Sequence, residues 1–187
     1  MSTEEHPQSS NFWLEFGKLV FISLVIVIPF RLYIAQPFIV EGASMDPTFK
    51  NGEYLIVEEL TYHWKNPERG SVLIFRYPRD PSKYFIKRVI GLPGETLEIE
   101  GGIVTIKNDA NPLGLTLEEP YVKYPKSDSL SVTLKENEFF VMGDNRSGSA
   151  DSRLWGPVPR EDVVGRPIIR FMPPALFPGN AIVSENK

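Results

Sequence analysis

Cysteine is absent from all 187 residues, and histidine occurs twice, at His6 and His63. Without cysteine there is no thiol nucleophile, no disulfide and no thiolate zinc site, and any redox compartment is compatible with the chain. A Ser-His-Asp triad or a histidine metal centre would rest on His63, which lies in the turn-like stretch Tyr62-His63-Trp64-Lys65-Asn66-Pro67 with no companion ligand. A solvated or packed loop histidine is the expectation there. Positive charge is also scarce: 20 Lys and Arg stand against 24 Asp and Glu, for a net charge of -4 and a pI of about 5.3. No basic surface is available to neutralise phosphates, so nucleic acid is excluded as an expected partner. With 42% hydrophobic and 24% charged residues the composition is that of a folded chain, and the length suits one domain with a short appendage.

Residues 1–11 are polar and aperiodic and carry Glu4, Glu5 and Pro7, the pattern of a tail. The long apolar run comes next. Leu19–Phe30 (LVFISLVIVIPF) is uncharged, and the window widens to 12–35 when Glu15, Lys18 and Arg31 sit at the interfaces. Those 24 residues exceed the length of about 20 that a bilayer-spanning helix needs. Lys18 and Arg31 extend their heads to water while their stems stay in lipid, Trp13 and Tyr33 form aromatic edges, and Pro29 kinks or ends the helix. A cleaved secretion signal and a buried helix of a soluble domain are the competing readings. Against the signal, the preceding segment is acidic, and Tyr33 of Tyr33-Ile34-Ala35 stands where cleavage needs a small side chain. The expectation is a retained transmembrane anchor, whose orientation Lys18 and Arg31 leave undetermined by charge.

Behind it, residues 36–187 are expected to form one β-rich domain. Candidate strands are 37–41, 53–58, 71–77, 84–90, 95–100, 103–107, 131–135, 138–142 and 163–171, with glycine and proline in nearly every gap. Gly101-Gly102 is a two-residue hairpin signal, because both central positions of a type I′ turn need positive φ. No long periodic helix follows residue 36, and residues 108–130, with Asn108-Asp109, Asn111-Pro112 and Pro120, read as a loop excursion. The expected fold class is mainly β, antiparallel, packed sheet on sheet or as partly closed barrels.

Three constellations carry chemistry. In Val40-Glu41-Gly42-Ala43-Ser44-Met45-Asp46-Pro47-Thr48, a strand ending in Gly-Ala-Ser before Asp-Pro presents a hydroxyl on a turn with free amides nearby. A turn-capping serine is the other reading. In Tyr84-Phe85-Ile86-Lys87-Arg88-Val89-Ile90-Gly91, strand alternation places Lys87 on the face of Phe85 and Val89. If that face is core, desolvation lowers the amine pKa from about 10.4 and makes a base of it; otherwise Lys87 is an edge lysine that reaches water. The third, Gly143-Asp144-Asn145-Arg146-Ser147-Gly148-Ser149-Ala150-Asp151-Ser152-Arg153, is either a solvated loop or one knitted rigid by two acids and two arginines.

The ordered set Ser44-Met45-x-Pro47-Thr48, Lys87-Arg88-Val89-x-Gly91-x-Pro93-Gly94 and Gly143-Asp144-Asn145-Arg146-x-x-Ser149-x-Asp151-Ser152-Arg153, behind an apolar run, resembles bacterial type I signal peptidase from the anchor to about Arg170. The resemblance implies Ser44 as nucleophile, Lys87 as general base and Ser149 as a hydroxyl that orients the amine, with Asp144, Arg146, Asp151 and Arg153 bracing the third loop. The implied reaction removes signal peptides through an acyl-enzyme and needs no metal or cofactor. Its substrates would be preproteins with small residues at the first and third positions before the cut. Phe38 and Val40, which alternate onto the side of Gly42, would line two shallow pockets with Met45, Phe49, Phe85 and Ile86, unless these side chains are simply core. Departures from the family pattern are Gly42 where some members have an oxyanion-assisting serine, Ser147-Gly148 for Asp-Asn, and Glu95 for Asp.

Ser44 lies 14 residues past Phe30, so a fully extended tether reaches at most about 46 Å from the bilayer. Because signal cleavage occurs on the exported side, the implied topology is a single pass through the cell membrane, with a short cytoplasmic tail, an extracytoplasmic domain, and lipid and preproteins as partners. Trp155, Phe171, Met172 and Phe177 would be an interfacial patch or packed core. Two rivals remain: a self-cleaving Ser-Lys repressor, which should carry a helical DNA-binding module, and a catalytically inactive membrane-tethered β module that binds exported chains.

Overall fold

β-branched and aromatic runs of five or six residues, cut by glycine and proline, become strands that bury alternate side chains. The computed structural model describes residues 12–29, 36–171, 174–176 and 184–185. Helix α1 (Phe12–Pro29) precedes strands β1 (Gln36–Ile39) and β2 (Tyr54–Glu58), the single turn α2 (Thr61–Trp64), β3 (Val72–Tyr77), β4 (Asp80–Gly91), β5 (Thr96–Glu100), β6 (Ile103–Asn108) and β7 (Asn111–Glu118). Then come β8 (Ser129–Thr133), β9 (Glu138–Met142), α3 (Ser152–Trp155), β10 (Val158–Pro159), β11 (Val163–Phe171), β12 (Pro174–Leu176) and β13 (Ser184–Glu185).

The strands form two antiparallel sheets. One runs β1-β2-β11-β3-β4-β9-β10, with β12 added beside β11; the other runs β13-β7-β6-β5-β8. Both are open, so the fold is mainly β without a closed barrel among the described residues. Gly101 (φ 58°) and Gly102 (φ 87°) make the β5–β6 hairpin, as their spacing predicts. Ile90, Phe140 and Met142 of the first sheet pack with Leu97, Ile99, Val104, Ile106 and Leu117 of the second in one core cluster. A second cluster holds Leu73, Phe75, Val89, Phe139 and Val141, and a third holds Val40, Met45, Phe49, Leu55, Val57 and Ile74.

One expectation is corrected and two open alternatives are resolved. Residues 108–130 are not a loop excursion: β7 occupies Asn111–Glu118 and buries Leu115 and Leu117. Asn111-Pro112 suggested a break, yet it lies against a register shift in β6, between Ile106 and Asn108, where no regular ladder bond is needed. His63 is solvated, as one of its two readings had it: it is exposed in the turn α2, its Nδ1 3.0 Å from the Glu59 carbonyl. Trp155 packs against Phe75 and Tyr77, whereas Phe171 is half exposed.

The tail 1–11, residues 30–35 of the expected anchor, Met172 and Phe177 lie outside the described residues. Helix α1 covers about 27 Å at 1.5 Å per residue, and its large apolar side chains from Phe12 to Ile28 are all exposed. No helix among the described residues is long and apolar enough to cross a membrane.

Candidate active site

Ser44 sits on the turn after β1, and that turn is pinned from beneath. Met45 and Phe49 are fully buried in the third core cluster, and burying each side chain contributes about 1.5–3 kcal/mol. From above, the loop after β9 grips the same turn: the Asn145 N–H donates to the Ser44 carbonyl (3.0 Å) and its side-chain amide to the Ala43 carbonyl (3.1 Å). Gly143 permits this approach, since a Cβ there would stand 2.4 Å from the Ser44 carbonyl oxygen and 2.3 Å from Ser149 Oγ. Among the described residues the Ser44 N–H meets no acceptor, whereas the Gly42 N–H is taken by Asn51 Oδ1 at 2.8 Å.

Lys87 enters from β4. Its Nζ lies 2.7 Å from Ser44 Oγ and donates to the Ile86 carbonyl at 3.0 Å, and the residue is 4% exposed. The Phe85 ring stands 5.5 Å from the amine, as strand alternation requires. Burial drives the pKa of Lys87 down to about 8, against the opposing pull of the Asp151 and Asp144 charges. With a pKa of about 8, roughly a tenth of this amine is uncharged at pH 7 and about half at pH 8, and a neutral amine 2.7 Å from a hydroxyl oxygen can take its proton.

The two carboxylates nearest the amine are neutralised by arginines. Arg88 donates twice to Asp144 (2.8 and 2.6 Å) and once to the Gly70 carbonyl, while the Thr48 hydroxyl donates to the same carboxylate at 2.5 Å. Arg153 donates twice to Asp151, at 2.8 Å each, and the Gly143 N–H adds a bond at 3.0 Å. Burial works against the charge of Asp151, but these bonds outweigh it and hold the carboxyl below its usual range. Arg146 donates to the Gly143 carbonyl and twice to Glu119.

A cavity of about 370 Å³ opens beside the Ser44–Lys87 pair. Its lining includes Phe38, Val40, Phe85 and Ile86. Met45 and Phe49, expected in the same lining, are instead beneath the turn, because the turn reverses the strand alternation that would have aimed them outward. Gly42 lies outside the lining too. Leu55, Ile74, Tyr84 and Ala150 take part without having been expected there. Ser149 Oγ is buried with no partner in strict hydrogen-bond geometry among the described residues, and its hydroxyl helps to lower the pKa of Asp151. Among the described residues no group of three or more His, Asp or Glu side chains is placed to hold a metal ion.

Residues 13–172 match the family described as "Signal peptidase, peptidase S26". The chain belongs to that family. "Probable signal peptidase I-2" of Synechocystis sp. is 35% identical over 179 residues, 92% of this chain and 79% of its own length. "Signal peptidase I P" of Bacillus subtilis subsp. natto is 31% identical over 185 residues, 92% of this chain and 96% of its own. A crystal structure of a signal peptidase I from Enterococcus faecalis matches at 31% identity and a TM-score of 0.47, over 55% of this chain and 97% of that one.

Beyond the family motifs, the S26 fold of this chain is held near its site by a pair that short-range spacing hides. Arg69 donates twice to Glu95 (2.8 and 2.6 Å) and once to the Ile90 carbonyl, and the Leu92 N–H and Asn108 amide complete the carboxylate's shell. Burial raises the Glu95 pKa, yet these bonds prevail and lower it overall. The turn Leu92-Pro93-Gly94 that ends the lysine strand is thus fixed by a residue 26 positions upstream. Only the presence of glutamate in a Pro-Gly turn signalled it.

Proposed function

We propose that this S26 family member is a serine endopeptidase that removes N-terminal signal segments from exported preproteins, with Ser44 as nucleophile and Lys87 as general base. The carrying observation is the 2.7 Å contact between Ser44 Oγ and a buried lysine amine whose pKa is lowered to about 8. Neutral Nζ takes the hydroxyl proton while Oγ attacks the scissile carbonyl carbon. The ammonium then gives its proton to the leaving amine, and the acyl-enzyme forms. Water enters, the same amine deprotonates it, and hydrolysis frees Ser44. The unpaired Ser44 N–H supplies a donor to the developing oxyanion. Asp144 and Asp151, with Arg88, Arg146 and Arg153, brace the loop, and Ser149, buried in that loop, is the hydroxyl that orients the amine.

The substrate's small residues fit the shallow cavity lined by Phe38, Val40, Phe85 and Ile86, and β1, the last strand of its sheet, offers an edge to an extended peptide. The apolar run Leu19–Phe30 and the uniformly exposed apolar side chains of α1 support membrane anchoring, with the sheets on the exported side. Detergent-solubilised protein, given a preprotein that ends its signal in Ala-x-Ala, should cut once, directly after the second alanine, as read by mass spectrometry of the product's new N-terminus. No cut, or a cut elsewhere, would defeat the assignment.

A pH prediction arises from the same amine. Catalysis requires Lys87 uncharged, so kcat/KM should rise with pH through a midpoint near 8, the lowered pKa of Lys87, and level off above it. A rise delayed to the range of free lysine, about 10.4, would mean that Lys87 is wet in solution.

A further inference from the structure

Residues 119–128 connect β7 to β8 in the second sheet, yet their strongest bonds go to the loop after β9. Glu119 receives both terminal nitrogens of Arg146 (2.8 and 2.6 Å) and the Tyr121 hydroxyl (2.8 Å). Tyr121 also lays its ring 4.0 Å from the guanidinium carbon of Arg88. The Ser147 N–H donates to the Tyr124 carbonyl (3.1 Å), and Arg153, already on Asp151, pairs with Asp128 as well. Arg146 and Arg153 are nearly buried, so these are charge-assisted bonds shielded from water.

The loop they grip flanks the Ser44–Lys87 pair. It supplies Asp144 and Asp151 near the amine, Gly143 and Asn145 against Ser44, and Ala150 to the cavity wall. The loop is rich in small and polar side chains. Ion pairs must therefore hold it down where apolar contacts would hold a strand.

We infer that residues 119–128 are a strap that clamps the 143–153 loop over Lys87, making Glu119 and Asp128 positioning residues for the Ser44–Lys87 pair. This rests on the dyad reading above. Neither carboxylate touches the pair, and both act through the arginines. Loosening the strap admits water to the amine. The charged or titratable groups around Lys87 are Asp144 and Asp151, neutralised by Arg88 and Arg153, with Glu41 and Tyr84 on the cavity lining. Rehydration stabilises the ammonium and raises its pKa, whereas deleting the Asp128 charge would by Coulomb's law lower it. The sign of the shift therefore separates the two effects.

The test uses full-length protein in detergent and a fluorogenic peptide carrying Ala-x-Ala before the cut. Glu119→Gln, Asp128→Asn and the milder Tyr121→Phe are compared with Glu98→Gln, which breaks the half-exposed Lys107 pair on the same sheet. Rates are taken well below each variant's unfolding temperature. Glu119→Gln and Asp128→Asn should raise the pH midpoint by about one unit, lowering kcat about tenfold near pH 7.5 with recovery near pH 10. KM should stay within about twofold. Tyr121→Phe should shift the midpoint the same way by less, and Glu98→Gln should leave it in place. An unmoved midpoint in the strap variants, or a loss equal at every pH, overturns the strap. Cleavage by Ser44→Ala at the wild-type rate overturns the dyad, and the strap with it.

Discussion

Ser44→Ala and Lys87→Met should each abolish preprotein cleavage, with kcat/KM falling by on the order of 10³-fold or more. The double variant should be no worse than either single one, since in the proposed mechanism nucleophile and base act in one step and removing one idles the other. Stability moves in the opposite direction for Lys87→Met. The amine's pKa in the folded chain is about 8, against 10.5 for an unperturbed lysine. Between these values the unfolded chain binds more protons than the folded one, so stability rises with pH through that window. Above 10.5 there is no penalty; as pH falls to 8 and below, the penalty is complete, at about 3 kcal/mol. Methionine has nearly the same length and no charge. Denaturant unfolding should therefore show Lys87→Met more stable than wild type by about 1–3 kcal/mol at pH 7, with the gain fading toward pH 10.5. A variant that is inactive and also less stable at pH 7 would show that Lys87 is held by favourable charge interactions rather than forced neutral.

Strand positions could be read from the chain because the sheets bury alternate side chains and place glycine and proline at their ends. The run Glu138-Phe139-Phe140-Val141-Met142 is β9 as expected, and Gly101-Gly102 turns where two positive φ values are needed. The ordered motifs led to the S26 family, and the structure brings Ser44 and Lys87, 43 positions apart, into contact. What stayed hidden depends on three-dimensional context. Whether Lys87 was a dry base or an edge lysine turned on which loop covers it, and alternation is silent about that. Met45 and Phe49 looked like pocket residues because period-two logic was carried past Ser44, where the chain stops being a strand. β7 was missed because Pro112 is a breaker in a regular ladder but is tolerated at a register shift. The bonds of Glu119 and Asp128 to Arg146 and Arg153 span 27 and 25 positions, beyond any local pattern.

The largest stability loss is expected at Asp144. Its carboxylate is fully buried and accepts from Arg88 and Thr48, and Arg88 is itself 5% exposed. Asp144→Ala leaves a guanidinium in the protein interior with its counterion gone, a change that costs about 3–5 kcal/mol. For a chain of this length that lowers the unfolding temperature by roughly 10 °C. Removing both charges should hurt less than the two single changes combined, since Asp144→Leu with Arg88→Met leaves no orphaned ion and replaces the pair by apolar volume. The activity consequences differ from the stability ones. Asp144 raises the Lys87 pKa through its charge, so its loss alone would favour the neutral amine, but the same carboxylate fixes Thr48, four residues beyond Ser44. If positioning outweighs charge, the double variant regains stability without regaining kcat. Full recovery of kcat in the double variant would mean that the pair serves the fold alone and that the turn carrying Ser44 is held well enough by Met45, Phe49 and Asn145.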